Sequence, residues 1–445
     1  MDEKVVSLEA EKFTAPAIRA VISQVLGYFF DAYDLLIVLS LATVLNRVFL
    51  PPNVPVLLSQ IAILSGFVLS EVVRPLGSFV FGHYADKLGR KITLIITVIG
   101  YSVSGALVAA LPSYTVAGYL GFIIYLILRF LVGFFIGGEY AGGHTLAMEW
   151  TPPKWRGLVS GLILFGFILG GLANTVAIYY LSLYFGSNFV TYGWRYLILT
   201  TLIPLPIALF IRLRVEDSPT FKEVVKNKQV EKLPVKSVLG GKALKDFIQI
   251  LIVMTGMFLA SFASYSNLLL VLQNKPSILS YGNSLIVYMI GLVGGGIGAI
   301  IYGHLSQIFG RKYLGTRWHI ATILLAIPIY YVIINSATVN NIFVASLFSF
   351  ILVFLAYAPW GSTVAYLAER YRTSHRSSGV GIGFSSGLFI GGWYTFYTLG
   401  LHSLLQGIEV ANIWLSSGIL LIIAGLLVII GFKLGPETKG ISLAK

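Results

Sequence analysis

Cysteine is absent from the 445 residues, so disulfides, thiolate metal sites and cysteine nucleophiles are all excluded. Charge is scarce as well. Asp, Glu, Lys and Arg make up 11% of the chain, and acids are outnumbered, 18 against 31. The glycine-rich runs Gly161 to Gly171 and Gly291 to Gly298 are not followed by Lys and Ser or Thr, so there is no phosphate loop and no direct nucleotide drive. No nucleophile, base and orienting group converge, which excludes an enzyme; no catalytic residue, metal set or cofactor is expected. The N-terminal stretch MDEKVVSLEAEKF lacks the apolar core and small-residue cleavage site of a signal peptide, so the first span is expected to be its own insertion signal.

Apolar residues fill the place of what is missing. Hydrophobic side chains reach 57% and mean hydropathy is +0.85, more than a soluble core of this length could bury. The apolar runs are continuous over about 20 residues, whereas barrel strands alternate over about 10, so the spans are helical. Lipid offers no partner to an open backbone, which leaves an all-α membrane protein. A net charge of +13 would suggest nucleic acid in a soluble chain. Here the basic residues cluster in loops on one side of the spans, so they are topology signals and nucleic acid is not a partner.

Twelve stretches can be marked, at 18–49, 57–83, 92–111, 117–149, 157–185, 194–212, 244–272, 284–304, 317–336, 341–368, 378–404 and 411–434; they are spans 1 to 12 below. An even number puts both termini on one side. The loops after even-numbered spans carry DKLGRK, PPKWRG, GRKYLGTR and ERYRTSHR, so by the positive-inside rule both termini are expected in the cytoplasm of a cell-membrane protein. The expected organisation is an N-terminal tail (1–17), a six-helix bundle (18–212), a cytoplasmic linker (213–243), a second six-helix bundle (244–434) and a C-terminal tail (435–445). In the linker, Glu216, Asp217, Ser218 and Pro219 predict a capped short helix from about Thr220, with Lys222, Glu223, Lys226 and Lys228 laying it on the membrane surface.

The two bundles carry a duplication. Gly82 to Lys91 reads GHYADKLGRK and Gly303 to Lys312 reads GHLSQIFGRK, an offset of 221 residues (303 − 82). Glu149 and Arg156 recur as Glu369 and Arg376, both shifted by 220 (369 − 149, 376 − 156). Two pseudo-symmetric halves with matched charged loops are the build of a rocking transporter. Within each loop the glycines Gly82, Gly89, Gly303 and Gly310 are expected to turn the chain, Asp86 to sit at a helix start, and Arg90, Lys91 and Arg311 to supply charge. Asp86, Arg90, Glu149 and Arg156 are expected to pair when the inside is shut, with Arg311, Glu369 and Arg376 as the second copy of this cytoplasmic gate. Gln307 stands where Asp86 would recur, so that copy should be weaker.

The paired loops, the paired Glu and Arg, and the tail Pro436–Gly440 (PETKG) resemble the major facilitator superfamily over essentially the whole chain. PETKG is similar to sugar porters. RPLGSFVFGHYADKLGRK, GGEYAGG, GWRY and EDSPTFKE look more like metabolite:proton symporters, and FFDAYDLL in span 1 resembles organic-anion and phosphate:proton symporters. Span 7 lacks the paired glutamines of sugar porters and the acid of phosphate symporters, and Phe167 replaces the proline of the drug-antiporter signature. The resemblance implies alternating access and a monomer.

Ionisable residues inside the membrane are the next signal, because each is costly there unless paired or wetted. Asp31 and Asp34 lie one turn apart on span 1, and two such carboxylates should not both be ionised, which suits a proton carrier. Asp31 is the leading candidate, with Asp34 and Glu139 behind it. Two roles stand open for Arg129: neutralising Asp31, Asp34 or Glu139, or holding an anionic substrate. Glu71 and Arg74, three apart, are expected to satisfy each other, and His144 to be a neutral ring with a carbonyl partner. The second half shows no acid or base in mid-span. Tyr33, Tyr140, Asn267, Tyr357, Trp360, Trp393 and Tyr397 are expected to bind substrate, helped by bends at Pro359 and at Gly391 and Gly392. The expected function is symport of protons with a small organic solute, a carboxylate metabolite. The rivals are a sugar transporter, a phosphate symporter and a non-transporting sensor.

Overall fold

The computed structural model describes residues 12–443 apart from 228, 230, 232, 242, 274–276, 278 and 406–412. The N-terminal tail up to residue 11 and Lys228 of the linker therefore lie outside the described residues. Among those described, eleven helices are long and apolar enough to cross a bilayer. They are Ala15–Ser40 (span 1), Ala62–Leu88 (2), Arg90–Ala110 (3), Leu120–Trp150 (4), Pro153–Phe185 (5), Phe189–Leu213 (6), Ala243–Gln273 (7), Gly282–Phe309 (8), Arg311–Thr338 (9), Ile342–Arg370 (10) and Ile413–Leu434 (12). Span 11 is also present, but in three pieces: Arg376–Ser386, Leu388–Gly391 and Tyr394–Leu404. Glycine is a poor helix former, and Gly387, Gly391 and Gly392 fall at its breaks. The twelve spans form two six-helix bundles, with spans 5 and 8 packed against each other across the middle.

Other spans depart from regular helix at one depth. Span 2 is interrupted at Val73, between the helices Val56–Val72 and Arg74–Leu88. Pro75 causes this, since it has no N–H to return to the Glu71 carbonyl one turn earlier. Span 4 passes through a π turn at Tyr140–His144, span 7 through another at Phe262–Ser266, and span 10 through a tight 3-10 turn at Ala358–Ser362 that begins beside Pro359. π turns inside long helices cluster at functional positions.

The linker holds the predicted short helix, Pro219–Lys226, with the Ser218 hydroxyl accepting from the Phe221 N–H at 3.2 Å, and a second, Pro234–Leu239. The end of the molecule that carries the linker and the duplicated loops is called the basic end below. There Gly89 and Gly310 turn the chain, with φ of 108° and 99°. Those angles favour glycine, which has no Cβ to clash. Gly82 and Gly303 are not turn residues as expected: both lie inside helices, at close approaches to the other half.

Candidate functional site

Where the interrupted helices meet, a cavity of about 20 Å³ lies between the two bundles. That is room for about one water, so a solute can enter only when the walls part. The first half contributes Tyr28, Leu35, Glu71, Arg74, Tyr140 and Phe167; the second contributes Phe258, Ser261, Phe262, Tyr265, Tyr357 and Trp360. Aromatic contacts close it on both sides. Towards the basic end, Phe384 of span 11 packs on His144 and Tyr140, with ring centroids at 4.7 and 4.8 Å. Towards the opposite end, Phe262 stacks on Tyr394 at 4.5 Å, and Phe67 of span 2 lies within 6.3 Å of both.

Behind the cavity the first bundle buries seven charged side chains in three separate sets. Arg74 binds both Asp31, with contacts of 3.0 and 3.2 Å, and Glu71, at 2.7 Å. Tyr140 donates its hydroxyl to Asp31 at 2.7 Å and accepts from Arg74. Arg129 pairs with Asp34 at 2.9 Å and reaches the Ser70 hydroxyl at 3.3 Å. Glu139 pairs with Arg212 at 2.5 Å, and Thr97 donates to it at 3.3 Å. Four carboxylates thus face three guanidiniums. A buried ion without a counter-ion is costly, so one proton on this cluster restores balance.

These pairings correct the sequence reading in several places. Asp31 and Asp34 meet arginines on different neighbouring spans, Arg74 of span 2 and Arg129 of span 4. Asp31 shares its cation with Glu71, so Glu71 and Arg74 are not a self-contained pair. Arg129 is engaged by Asp34, and Glu139 by Arg212, a residue at the very edge of the expected bundle that proves deeply buried. His144 receives a hydrogen bond from the Gln24 side-chain amide at 3.0 Å, where a carbonyl partner was expected. In the second half His319 is buried two turns into span 9, short of mid-span, its Nδ1 donating to the Gly315 carbonyl at 2.7 Å.

Of the expected substrate residues, Tyr140, Tyr357 and Trp360 line the cavity. Trp360 is oriented by donation from Nε1 to the Ser261 hydroxyl at 2.5 Å, and Tyr357 by donation to the Leu164 carbonyl at 3.2 Å. The other four lie elsewhere. Tyr33 is hydrogen-bonded to Thr200 at 2.6 Å inside the first bundle. Asn267 donates to Thr398 and Ser417 at 2.9 and 3.1 Å within the second bundle. Trp393 and Tyr397 are 41% and 36% exposed on the bundle surface. Sequence reasoning missed Tyr28, Glu71, Arg74, Phe167, Phe258, Ser261 and Phe262 as cavity residues. A signal existed: Phe258, Ser261, Phe262 and Tyr265 fall at i, i+3, i+4 and i+7, one face of span 7.

The gate residues converge at the basic end, where Arg90 meets Asp86 and Glu149 as expected while other partners differ. Asp86 lies near the end of its own helix, not at a start, and accepts the Ser377 and Ser378 N–H groups at 2.9 and 2.8 Å. It therefore caps span 11 of the other half, where the dipole favours a carboxylate. Arg90 is fully buried and not a surface topology charge; it contacts Asp86 and Glu149, both at 3.4 Å. Arg376 of the second half joins Glu149 at 2.8 Å. Arg156 donates to the Ile441 carbonyl at 2.9 Å. In the second copy Arg311 pairs with Glu369 at 3.1 Å, and Gln307 accepts from the Gly157 N–H at 3.2 Å. That is one bond across the halves where Asp86 makes two.

Each half also closes its own helix ends with a clip that the sequence reading did not connect. Asp217 accepts the N–H groups of Arg90 and Lys91 at 2.7 and 3.2 Å. Glu437, 220 residues later (437 − 217), accepts those of Arg311 and Lys312 at 2.9 and 3.0 Å. Next to them, Ser218 donates to Glu149 and Thr438 donates to Glu369, the latter at 2.7 Å. EDSPT and PETKG are thus the same structural element repeated.

Partial burial pushes the Glu437 carboxyl up, but the backbone amides of Lys439, Arg311, Lys312 and Thr438 outweigh it and hold the group below its ordinary value. A depressed carboxylate contributes stability above its unfolded pKa and loses it as the pH falls through the folded value. Glu437→Gln is therefore expected to lower stability by about 1 kcal/mol at pH 7, in the range of a lost helix cap. The difference from the parent protein should vanish in acid. Thermal unfolding in detergent at pH 7 and below pH 4 checks both points; a deficit that persists in acid would contradict the assignment.

Comparison with known proteins agrees with this architecture. The profile described as Major Facilitator Superfamily matches residues 20–392. The shikimate transporter of Escherichia coli is 27% identical over 411 residues, covering 89% of this chain and 90% of that one. The inner membrane metabolite transport protein YhjE of the same organism is 25% identical over 434 residues, covering 96% and 95%. The proline/betaine transporter of E. coli is 27% identical over 388 residues, covering 84% and 75%. Among solved structures, the proton:xylose symporter XylE bound to 6-bromo-6-deoxy-D-glucose superposes with a TM-score of 0.78 at 18% identity, covering 97% of this chain and 98% of that one. Its inward open form from E. coli gives 0.66 at 20% identity, covering 96% and 98%.

Proposed function

We propose, for a chain that belongs to the Major Facilitator Superfamily and is a multi-pass membrane transporter, that it imports a small organic carboxylate together with a proton by alternating access. The observation that carries this reading is the charge count of the cluster at and behind the cavity, where, among the described residues, four buried carboxylates stand against three guanidiniums. Left ionised, the surplus carboxylate opposes any movement that carries it through a dry interface, and a proton relieves it. We assign the coupling proton to the set formed by Asp31, Glu71 and Arg74, which borders the cavity; the one-to-one pairs of Asp34 with Arg129 and Glu139 with Arg212 hold the bundle together. Shikimate, proline and betaine, named for the relatives, are all carboxylates, which supports that solute class. We place the basic end in the cytoplasm and read the working unit as a monomer.

In this reading the contacts of Asp86, Glu149 and Arg376 form the inner gate, and the structure is a closed intermediate of the cycle. Purified protein in liposomes should accumulate one of a panel of carboxylates when the outside is acidified, with acidification of the lumen in step. A protonophore should collapse the accumulation at least tenfold. Uptake that ignores the protonophore would leave a uniporter, and accumulation restricted to pentoses or hexoses would favour the sugar reading.

A further inference from the structure

We propose that Arg74 is the receptor for the carboxylate of the transported solute, and that Glu71 is the group that releases Arg74 to it by taking the proton. This rests on the proton-coupled reading above and names its site. Arg74 and Glu71 both line the cavity. Asp31 holds Arg74 by two contacts and a Tyr140 hydroxyl besides. Glu71 holds it by one contact, and Arg74 is its one polar partner among the described residues. Arg74 is 1% exposed, yet its Nε makes no hydrogen bond. The neighbouring Nη2 is the atom that Glu71 holds, so release of Glu71 would leave Nε and Nη2 together on one edge, and a carboxylate recognises such an edge because the planar fork donates two parallel bonds.

The backbone allows the exchange. Glu71 belongs to the upper helix of span 2 and Arg74 opens the lower one, with the interruption at Val73 between them. The two side chains can therefore separate without breaking a continuous ladder of hydrogen bonds.

The groups facing Glu71 leave no other route. Span 1 presents Asp31 and Tyr28, span 4 presents Arg129 and Tyr140, span 7 presents Tyr265 and span 11 presents Tyr394. Arg129 is occupied by Asp34. The second half brings aromatic rings and Ser261 to the cavity, and among the described residues neither a cation nor a carboxylate. Among the described residues, Arg74 is accordingly the one cation at the wall for an incoming anion. A proton from the outside binds a Glu71 carboxylate oxygen and breaks its ion pair. Arg74 keeps Asp31 and turns its freed N–H groups to the solute carboxylate, which replaces the charge of Glu71 one for one. A zwitterionic solute, whose cation the faces of Trp360 and Tyr357 can receive, leaves the protonated cluster neutral, whereas an anion without a cation returns it to its starting charge, so zwitterionic carboxylates are the solutes this cycle favours. On the inner side the solute leaves, the proton follows, and Glu71 recovers Arg74.

The test compares the parent protein with Glu71→Gln and Asp31→Asn. Binding of proline, glycine betaine and shikimate, each beside its methyl ester, is measured by thermal shift and calorimetry in detergent from pH 5.5 to 8.5. The free carboxylate of at least one pair should bind the parent protein, its ester at least tenfold more weakly, and affinity should fall about tenfold per pH unit at the alkaline end, as linkage to one proton requires. Glu71→Gln should bind that carboxylate at every pH as tightly as the parent does in acid, and in liposomes should exchange solute but not accumulate it. If Glu71→Gln keeps the parent's pH dependence, or Asp31→Asn alone abolishes it, the proposal is overturned. Ester binding equal to acid binding, or no binding by any of the three carboxylates, overturns it as well. The broader reading fails separately, when the parent protein shows no response to a protonophore while Glu71→Gln still binds more tightly than the parent at alkaline pH.

Discussion

Gly157→Trp is expected to reduce transport at least a hundredfold and to hold the basic end open. A Cβ built on Gly157 would lie 2.3 Å from the Gly303 carbonyl oxygen, 2.9 Å from Arg311 and 3.0 Å from Gln307. All three belong to the second half. Spans 5 and 8 therefore meet backbone to backbone here, as small residues permit in membranes. Overpacking by a few methylenes costs roughly 1–3 kcal/mol, and an indole exceeds that, so the closed state should lose more than a hundredfold in population. The indole disrupts packing between the halves only, and each bundle should remain folded. Because the chain has no cysteine, Ser261→Cys gives a single thiol on the cavity wall. Its reaction with a water-soluble maleimide should rise at least tenfold in the Gly157→Trp background when the reagent is applied from the basic end. Unchanged labelling together with unchanged transport would refute this account of closure.

Glu149→Ala is expected to have the second largest effect. Its carboxylate is shared by Arg90 of the same half and Arg376 of the other, and Ser218 donates to it as well. Removing one partner from a buried charge set costs about 3–5 kcal/mol, mostly as the penalty of the charges left behind. Arg376 recovers hydration when the basic end opens, whereas Arg90 stays in its own bundle. The loss therefore falls mainly on the closed state, shifting the balance toward open by two orders of magnitude or more and slowing the return step. Glu149→Gln keeps hydrogen bonds and should show a smaller defect. Solute-driven uptake, compared with equilibrium exchange in the same liposomes, separates a slow return step from unfolding; equal loss of both for Glu149→Gln and Glu149→Ala would point to misfolding instead.

Much of the architecture was legible because its signals are local. Continuous apolar runs marked the twelve spans, and repetition of GHYADKLGRK as GHLSQIFGRK marked the two halves. The set of buried charges was legible too, since any Asp, Glu or Arg in such a run stands out. Their pairing was not. Asp31 and Asp34 differ by less than a turn, yet they meet arginines on different spans, and choosing between Arg74 and Arg129 requires the rotation of three helices about their axes. Arg212 stood at the last position of the expected bundle because hydropathy falls there; its burial against Glu139 follows from the packing of span 6 on spans 1 and 3, which no local signal gives. Trp393 and Tyr397 illustrate a different obstacle. They follow the breaks in span 11, and each break resets the phase from which a helical face is counted. The aromatic face of span 7 was readable at its spacing, and the π turn at Phe262–Ser266 sits within it.

The two clips bear on how such a chain arose. Asp217 closes the first half as Glu437 closes the second, and Lys91 reaches the Leu213 carbonyl as Lys312 reaches that of Lys433, again 220 residues on (433 − 213). What was copied was therefore longer than six spans: it carried its own trailing seal. An ancestor of about half this length would have been able to finish its helix ends unaided and to work as a pair of identical subunits. On that view the stretch joining the halves is a former terminus that fusion left in place.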